Sequence, residues 1–352
     1  MPVLVAAPDK FRGTATAVEV AAAVARSATR LGWSVIESPL SDGGEGLLEA
    51  VRRPADQLET TEVAGPLGQP VTAAWLRGPD RCVIEMARAS GLALAGGPGG
   101  NRPMEATTRG TGQLLVAAAR ALAATASRSA ADGSPPSIIV GLGGSATTDG
   151  GLGALDAIDE AGGLGRVDLV AACDVRVGFL DAARVFAPQK GATPQQVAEL
   201  TERLDRLADR YVERFGIHVR ALPGAGAAGG LGGAVAALGG RLEPGYRLVA
   251  ELVGLRHHLE QADLVITGEG ALDATSFAGK VVGGVLGDAS AIEVPVLVVA
   301  GRATTEAVDL ARGYGARVVS LSDRFGRARS YRHTVECLEE AVTEALEDFD
   351  GA

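Results

Sequence analysis

Residues 138–151 read IIVGLGGSATTDGG, a branched apolar run that leads into a loop with glycines at 141, 143, 144, 150 and 151. A short continuous run of this kind suits a strand buried on both faces of a parallel sheet. In the loop, glycine permits a positive φ and lets a ligand approach the main chain, while N–H groups opening the next helix supply donors and a positive dipole end. The loop therefore reads as an anion site. Asp149 is its odd member, since a carboxylate repels a bare phosphate and makes sense beside a cation or a proton transfer.

The same strand, loop, helix order recurs on both sides. Val3 to Ala7 runs into Pro8-Asp9-Lys10-Phe11-Arg12-Gly13, and Thr14 or Thr16 caps a helix to about Leu31. Ser34 to Ser38 runs into Asp42-Gly43-Gly44-Glu45-Gly46 and a helix that starts at Leu47. Downstream, strands are expected at 168–172 (ending in Cys173-Asp174-Val175), 217–222, 263–267 (ending in Gly268-Glu269-Gly270), 295–300 and 317–321. Helices are expected from Thr107 or Thr111 to Thr125, over 151–160, over 195–215 with Thr193 and Pro194 at its start, and over 330–349. Residues 70–77 and 81–87 around Gly78-Pro79-Asp80 read as an antiparallel hairpin, 96–102 as a loop, and 126–136 as an exposed connection. Alternating strands and helices imply an α/β fold with largely parallel sheets, whose ligands collect at the carboxyl ends of the strands.

Bulk properties narrow the class. A chain of 352 residues with 47% hydrophobic and 22% charged residues is globular and long enough for two domains. A formal charge of −10 without a Lys/Arg block excludes the electrostatic footprint of a nucleic-acid binder. Neither a signal peptide nor an apolar run of about 20 residues is visible, so no membrane partner and a cytoplasmic location are expected. Cys82, Cys173 and Cys337 are odd in number and far apart, which favours buried thiols over a disulfide. The four histidines lack metal-ligand spacing, and neither HExxH nor GxSxG occurs.

The nucleotide signatures fit poorly. Gly224-x-Gly226-x-x-Gly229 matches GxGxxG and Gly141-x-Gly143-x-x-Ala146 its relaxed form, but such spacing is cheap among 49 glycines. A P-loop is absent, because Ala274 stands where the first glycine belongs and Val281 follows Gly279-Lys280. Asp168 and Asp263 read as caps or turn formers. Asp42, Glu45 and Asp149 differ, since glycine neighbours leave their carboxylates open to a ligand. Lys10, Arg12, Lys190 and Lys280 lie in turns near these loops, the arrangement a phosphoryl-transfer site needs to neutralise charge on the moving group.

PDKFRGTATAVEVA, PLSDGGEG, VIEMARASGL, ATTRGTGQLL, IIVGLGGSATTDGG, ACDV with FAPQKGAT, LPGAGAAGGLGGA, and LVITGEGALD followed by GK together resemble the bacterial glycerate kinases of the first type. The motifs follow the family's order over nearly the whole chain. The resemblance implies ATP- and Mg²⁺-dependent phosphorylation of D-glycerate, usually to the 2-phosphate, by a monomer or homodimer. It further implies a discontinuous flavodoxin/Rossmann-like domain, set at 1–72 plus 275–352, and an inserted α/β domain, 73–274, that carries the glycine-rich loops. Carried onto this chain, it makes Asp149 and Asp174 the base and the metal ligand, in either order. Asp9, Lys10, Arg12, Asp42, Glu45 and Lys190 would bind substrate. Gly143, Gly144, Ser145, Gly224, Gly226, Gly229, Glu269 and Lys280 would bind nucleotide. The chain departs from the family's usual APDSFKG at Lys10 and Arg12, is shorter between Ile158 and Asp168 and after Val175, and lacks the common Arg and Gln after Gly270. A kinase for a related hydroxy acid and a non-catalytic nucleotide-binding regulator are the alternatives.

Overall fold

The computed structural model describes residues 1–125 and 135–350, so most of the connection expected at 126–136 lies outside the described residues. Its strands are β1 (Val3–Ala6), β2 (Ser34–Glu37), β3 (Gln57–Ala64), β4 (Pro70–Arg77), β5 (Arg81–Glu85), β6 (Ser137–Gly141), β7 (Asp168–Ala172), β8 (Arg241–Glu243), β9 (Leu264–Leu272), β10 (Val296–Ala303) and β11 (Arg317–Ser320). The chain divides into two compact units, one of Met1–Asp42, Glu49–Val51 and Tyr246–Ala352, the other of Gly43–Leu48 and Arg52–Gly245.

The first unit, built from both ends of the chain, carries a five-stranded sheet in the order β11-β10-β9-β1-β2. All its pairings are parallel. Continuous apolar strands such as VLVA in β1 suit this, since helices cover both faces of a parallel sheet. Helix Ala17–Arg30 begins at Thr16, whose hydroxyl accepts from Glu19 N while the Glu19 carboxylate accepts from Thr16 N. This reciprocal cap fixes the helix start without tertiary help. The helix buries Val20, Ala21 and Val24 in a core shared with Leu4, Trp33, Ile266 and Leu338.

The second unit holds a six-stranded mixed sheet, β3-β4-β5-β6-β7-β8. β3, β4 and β5 are antiparallel, and β5 to β8 are parallel. Its core gathers Ile84, Leu114, Val140, Leu155, Phe179, Leu204 and Tyr211. Helix Pro194–Phe215 is capped by a Thr193–Gln196 box and turns Leu200, Leu204, Leu207 and Tyr211 inward, leaving Glu199 and Arg203 exposed as an ion pair.

Several expectations are corrected. The division falls near 42–52 and 245/246 rather than at 72/73 and 274/275. A boundary at 72 would cut β4 in the middle of its ladder with β3, and one at 274 would assign β9 to the wrong sheet. The strand expected at 217–222 is a single 3₁₀ turn, Val219–Ala221. Gly97–Gly100 forms one helical turn within the expected loop. The final helix is two, Arg327–Arg332 and Thr334–Asp350. Among the described residues no helix is long and apolar enough to cross a membrane.

Candidate functional site

In the first unit the strand order reverses between β1 and β9, and in such sheets the crevice at the carboxyl ends of the two reversing strands is where ligands bind. Hydrogen bonding continues past the ends of β1: Ala7 N donates to Ile266 O at 2.8 Å and Asp9 N to Gly268 O at 2.9 Å. Asp9 therefore emerges beside Glu269. The GEG triplet is not a loop after the strand, as expected, but part of β9, with Glu269 opposite Ala300. Its glycines serve close approach. A Cβ on Gly268 would stand 1.9 Å from Val299 O, and one on Gly270 3.1 Å from Arg12 N. Phe11, 1% exposed, anchors the loop between Lys10 and Arg12, and its main chain bridges to Ala15.

Opposite charges are concentrated here. Lys10 Nζ lies 3.5 Å from Asp9 Oδ1 and 3.5 Å from Asp42 Oδ1. Burial pushes the Asp9 carboxyl up to about 6, with Asp42 adding to the shift and Lys10 opposing it. Burial also pushes Glu269 up to about 7, against a Ser276 hydrogen bond, with Asp9 and Asp273 adding to the rise. Glu269 Oε1 is buried without a hydrogen-bond partner among the described residues. Burial alone would lower Lys10, but Asp9 and Asp42 outweigh it, so this ammonium is held above its ordinary value. These groups line a cavity of about 500 Å³ together with Arg12, Lys280, Arg302 and Arg327. Among the described residues those four cations make no ion pair with a carboxylate.

Six of the expected residues, Asp9, Lys10, Arg12, Asp42, Glu269 and Lys280, thus meet in one cavity. Arg302 and Arg327 belong to it too and were not anticipated. Arg302 sits within β10, and Arg327 in a run of arginines that reads as solvated surface.

In the second unit the glycine-rich loops lie against each other. Gly150 N donates to Gly229 O at 2.9 Å, and the Thr147 hydroxyl donates to Ala228 O at 3.4 Å. Ala228, Gly229 and Gly230 have φ of 52°, 70° and 99°, a left-handed run that lets the backbones touch. A Cβ on Gly229 would lie 2.0 Å from Thr147 O and one on Gly226 2.2 Å from Gly178 O, so packing alone demands glycine at both. Gly224, at φ +84°, is required by conformation, a Cβ on Gly143 would lie 2.6 Å from Gly44 Cα, and the exposed Gly144 leaves main chain accessible.

Asp149 is occupied by this architecture. Its Oδ2 accepts from Thr108 N at 2.7 Å, Thr108 Oγ1 at 2.8 Å and Gly153 N at 3.3 Å, and its Oδ1 from Gly151 N at 3.1 Å. Burial raises its pKa while these donors pull it back down. Lys190, 3% exposed, threads the same loop, with Nζ donating to Ser145 Oγ at 2.8 Å and Thr147 O at 2.7 Å. Asn101 clasps it by donating to Ala146 O at 3.0 Å and Lys190 O at 2.9 Å. Asp174, past the end of β7, accepts from Gly245 N at 2.8 Å, and Glu45 is exposed. Among the described residues no three His, Cys, Asp or Glu side chains are grouped to hold a metal.

Burial lowers the Lys190 ammonium to about 7, with Asp149 pulling the other way. Two acceptors need only two N–H groups, which a neutral amine supplies. The sign of the linkage follows: between about 7 and the ordinary lysine value the unfolded chain binds the extra proton, so stability rises with pH over that window and is flat below it. Chemical denaturation at pH 7 and 9 should show the wild type gaining on Lys190→Met, by at most about 1.4 kcal/mol per pH unit. Parallel behaviour of the two proteins would contradict the buried-amine assignment.

Comparison with known proteins adds an independent line. The profile of the "Glycerate kinase family" matches residues 4–162 and 159–349. Glycerate kinase of Halalkalibacterium halodurans is 37% identical over 358 residues, 90% of this chain and 88% of that protein. Glycerate 2-kinase of Escherichia coli K12 is 36% identical over 341 residues, 86% of each. The crystal structure of a Salmonella typhimurium LT2 protein, provisionally called glycerate kinase 2, superposes with a TM-score of 0.78 at 30% identity, covering 100% of both chains.

Proposed function

The chain belongs to the glycerate kinase family, and from that premise we propose that it transfers the γ-phosphoryl group of ATP to D-glycerate, yielding 2-phosphoglycerate. Family membership supports a phosphotransferase reaction of the glycerate kinase type. The observation that carries the finer reading is the cavity at the strand reversal of the first unit, where Lys10 lies between Asp9 and Asp42 and, among the described residues, the other cations make no ion pair. Counted within the unit, its strand order is 2-1-3-4-5, which supports a flavodoxin-like fold with its ligand at that reversal.

Mg²⁺ fits the donor set of this cavity. Asp9 and Glu269 offer hard carboxylate oxygens, burial holds both above the ordinary carboxylate range, and among the described residues Glu269 Oε1 has no donor. A buried carboxylate oxygen without a donor, beside a second acid, matches a cation that takes one or two acids and completes its shell with phosphate and water. When bound it would neutralise charge on the nucleotide phosphates. Lys10 would hold the acceptor acid or the moving phosphoryl, and Lys280 with the arginines would bind the remaining anionic oxygens. Asp174 is the acid we assign to the acceptor hydroxyl's proton. Asp149 and Lys190 we assign to holding the glycine-rich loop in shape, on the strength of the hydrogen bonds they already make.

The full-length protein with ATP, Mg²⁺ and D-glycerate should release ADP in a glycerate-dependent manner, and phosphorus NMR should find the 2-phosphate. A panel of other small hydroxy acids should be poorer acceptors, and Asp174→Asn should lose about 100-fold or more in turnover. No glycerate-dependent ADP release would overturn the activity, and an unimpaired Asp174→Asn the proton assignment.

A further inference from the structure

The segment after β11 folds as two short helices, Leu321–Phe325 and Arg327–Arg332, ahead of the last helix. Its arginines are not equivalent. Arg324 pairs with Glu344, and Arg329 Nη2 lies 2.7 Å from Glu340 Oε2, both partners on helix Thr334–Asp350. Both guanidinium groups also sit over the Phe325 ring, at 5.6 and 4.9 Å from its centroid. Arg324 and Arg329 therefore tie the segment down.

Arg327 does something else. With Ser330 and Tyr331 it follows the i, i+3, i+4 spacing of one helical face, and that face lines the cavity together with Thr334 at the start of the next helix. The face is well fixed. Ser330 Oγ donates to Arg327 O at 3.2 Å and Thr334 Oγ1 to Ser330 O at 2.7 Å, and both hydroxyl residues are buried. Arg327 itself is exposed to the cavity and makes no ion pair among the described residues. Arg12 and Arg302 reach the same cavity in the same unpaired condition. The cavity sets five cations, Lys10, Arg12, Lys280, Arg302 and Arg327, against the carboxylates of Asp9, Asp42, Glu269 and Asp273, and among the described residues the three guanidinium groups make no ion pair with any of them.

We propose that Arg327, together with Arg12 and Arg302, forms a phosphate-recognition wall that takes the polyphosphate of a nucleotide. The choice of ligand follows from charge, shape and size. Since the cavity's carboxylates leave the three guanidinium groups without an ion pair among the described residues, a di- or triphosphate can offer each of them an anionic oxygen, which a single carboxylate cannot. Guanidinium forks match phosphate oxygens two at a time. A cavity of about 500 Å³ is in the range of ligands much larger than a three-carbon acid. The proposal rests on the kinase reading only for the nucleotide as the source of the phosphates. Neither composition nor motif spacing marked this wall, since Arg327 hides in the run RFGRARSYR.

The test is calorimetric titration of the full-length protein with inorganic tripolyphosphate, ADP, 2-phosphoglycerate and D-glycerate. Wild type is compared with Arg327→Met, Arg302→Met and, as a control, Arg332→Met, an exposed neighbour that does not line the cavity. Affinity for tripolyphosphate and ADP should fall about tenfold or more in Arg327→Met and Arg302→Met, as expected for a lost charge-assisted contact. Arg332→Met should match wild type, and D-glycerate affinity should stay within about twofold throughout. Thermal unfolding of the variants reports that they are folded. Wild-type-like tripolyphosphate binding by Arg327→Met overturns the proposal, as does a wild type that binds no tripolyphosphate. A loss confined to 2-phosphoglycerate or D-glycerate overturns the nucleotide assignment. Arg327-dependent ADP binding in a protein without glycerate-dependent ADP release supports the wall while removing the acceptor reading.

Discussion

Lys10→Met is expected to lower kcat/KM with D-glycerate by roughly 100- to 1,000-fold at pH 7, in a protein that still folds. The ammonium stands 3.5 Å from Asp9 Oδ1 and 3.5 Å from Asp42 Oδ1, longer than a good hydrogen bond to either. It is therefore a charge between two carboxylates that keeps donors for a third oxygen. That third oxygen is where an acceptor carboxylate or a phosphoryl group would sit. Methionine removes the donor and also the positive charge between Asp9 and Asp42, so an incoming anion meets more negative charge at this wall of the cavity. Both kcat and KM should suffer, because the charge serves binding and the moving phosphoryl group alike. Lys10→Arg keeps the charge but replaces a compact ammonium with a planar fork, and should recover part of the loss without restoring it. Turnover of Lys10→Met within about threefold of wild type would remove Lys10 from the chemistry.

Why the sequence foretold some of this and hid the rest is a matter of which forces act locally. β1, β6, β7 and β10 are buried on both faces and announce themselves as apolar runs. β3 was missed because it is an edge strand, QLETTEVA, with a single buried residue, Val63, and with Leu58 exposed, so neither apolar alternation nor a continuous apolar run marks it. β8 is three residues long and reads as part of a turn. Gly268 and Gly270 look like loop signals, yet both serve close backbone approach in a strand, and no local pattern distinguishes these uses. The cavity's acids and lysines were legible because glycine or proline neighbours mark their loops. Arg302 and Arg327 were not, because their role depends on what lies across the fold. Lys190 shows the converse: a lysine in a glycine-flanked turn reads as available for substrate, and only its 3% exposure reveals that its amine serves the protein's own loop.

Asp149→Ala should be among the most destabilising single changes in the chain, by about 3–5 kcal/mol. The loop at 141–151 has the features of an anion site, and the anion that occupies the start of its helix is Asp149's own carboxylate. Gly151 N and Gly153 N belong to the start of helix Leu152–Glu160, and Thr108 N to the start of helix Arg109–Thr125. The Thr108 hydroxyl donates to Asp149 and accepts from Ala154 N at 3.0 Å, closing the network across both helix starts. One carboxylate therefore caps two helices, with both dipoles favouring its charge. Alanine would orphan four donors at about 1–3 kcal/mol each, less what water entry and hydroxyl rotation recover and less the burial cost of the lost charge. Asparagine can keep an acceptor toward Thr108 and Gly153, but its amide then faces Gly151 N, donor to donor, so Asp149→Asn should lose about 1–2 kcal/mol. Denaturant midpoints of the two variants measure this directly. The capping role fails if Asp149→Ala unfolds within about 1 kcal/mol of wild type. If folded Asp149→Asn keeps its stability yet loses 100-fold in turnover, Asp149 acts in the chemistry instead. The capping network predicts the reverse order, with stability falling first and turnover following only as far as the loop loosens.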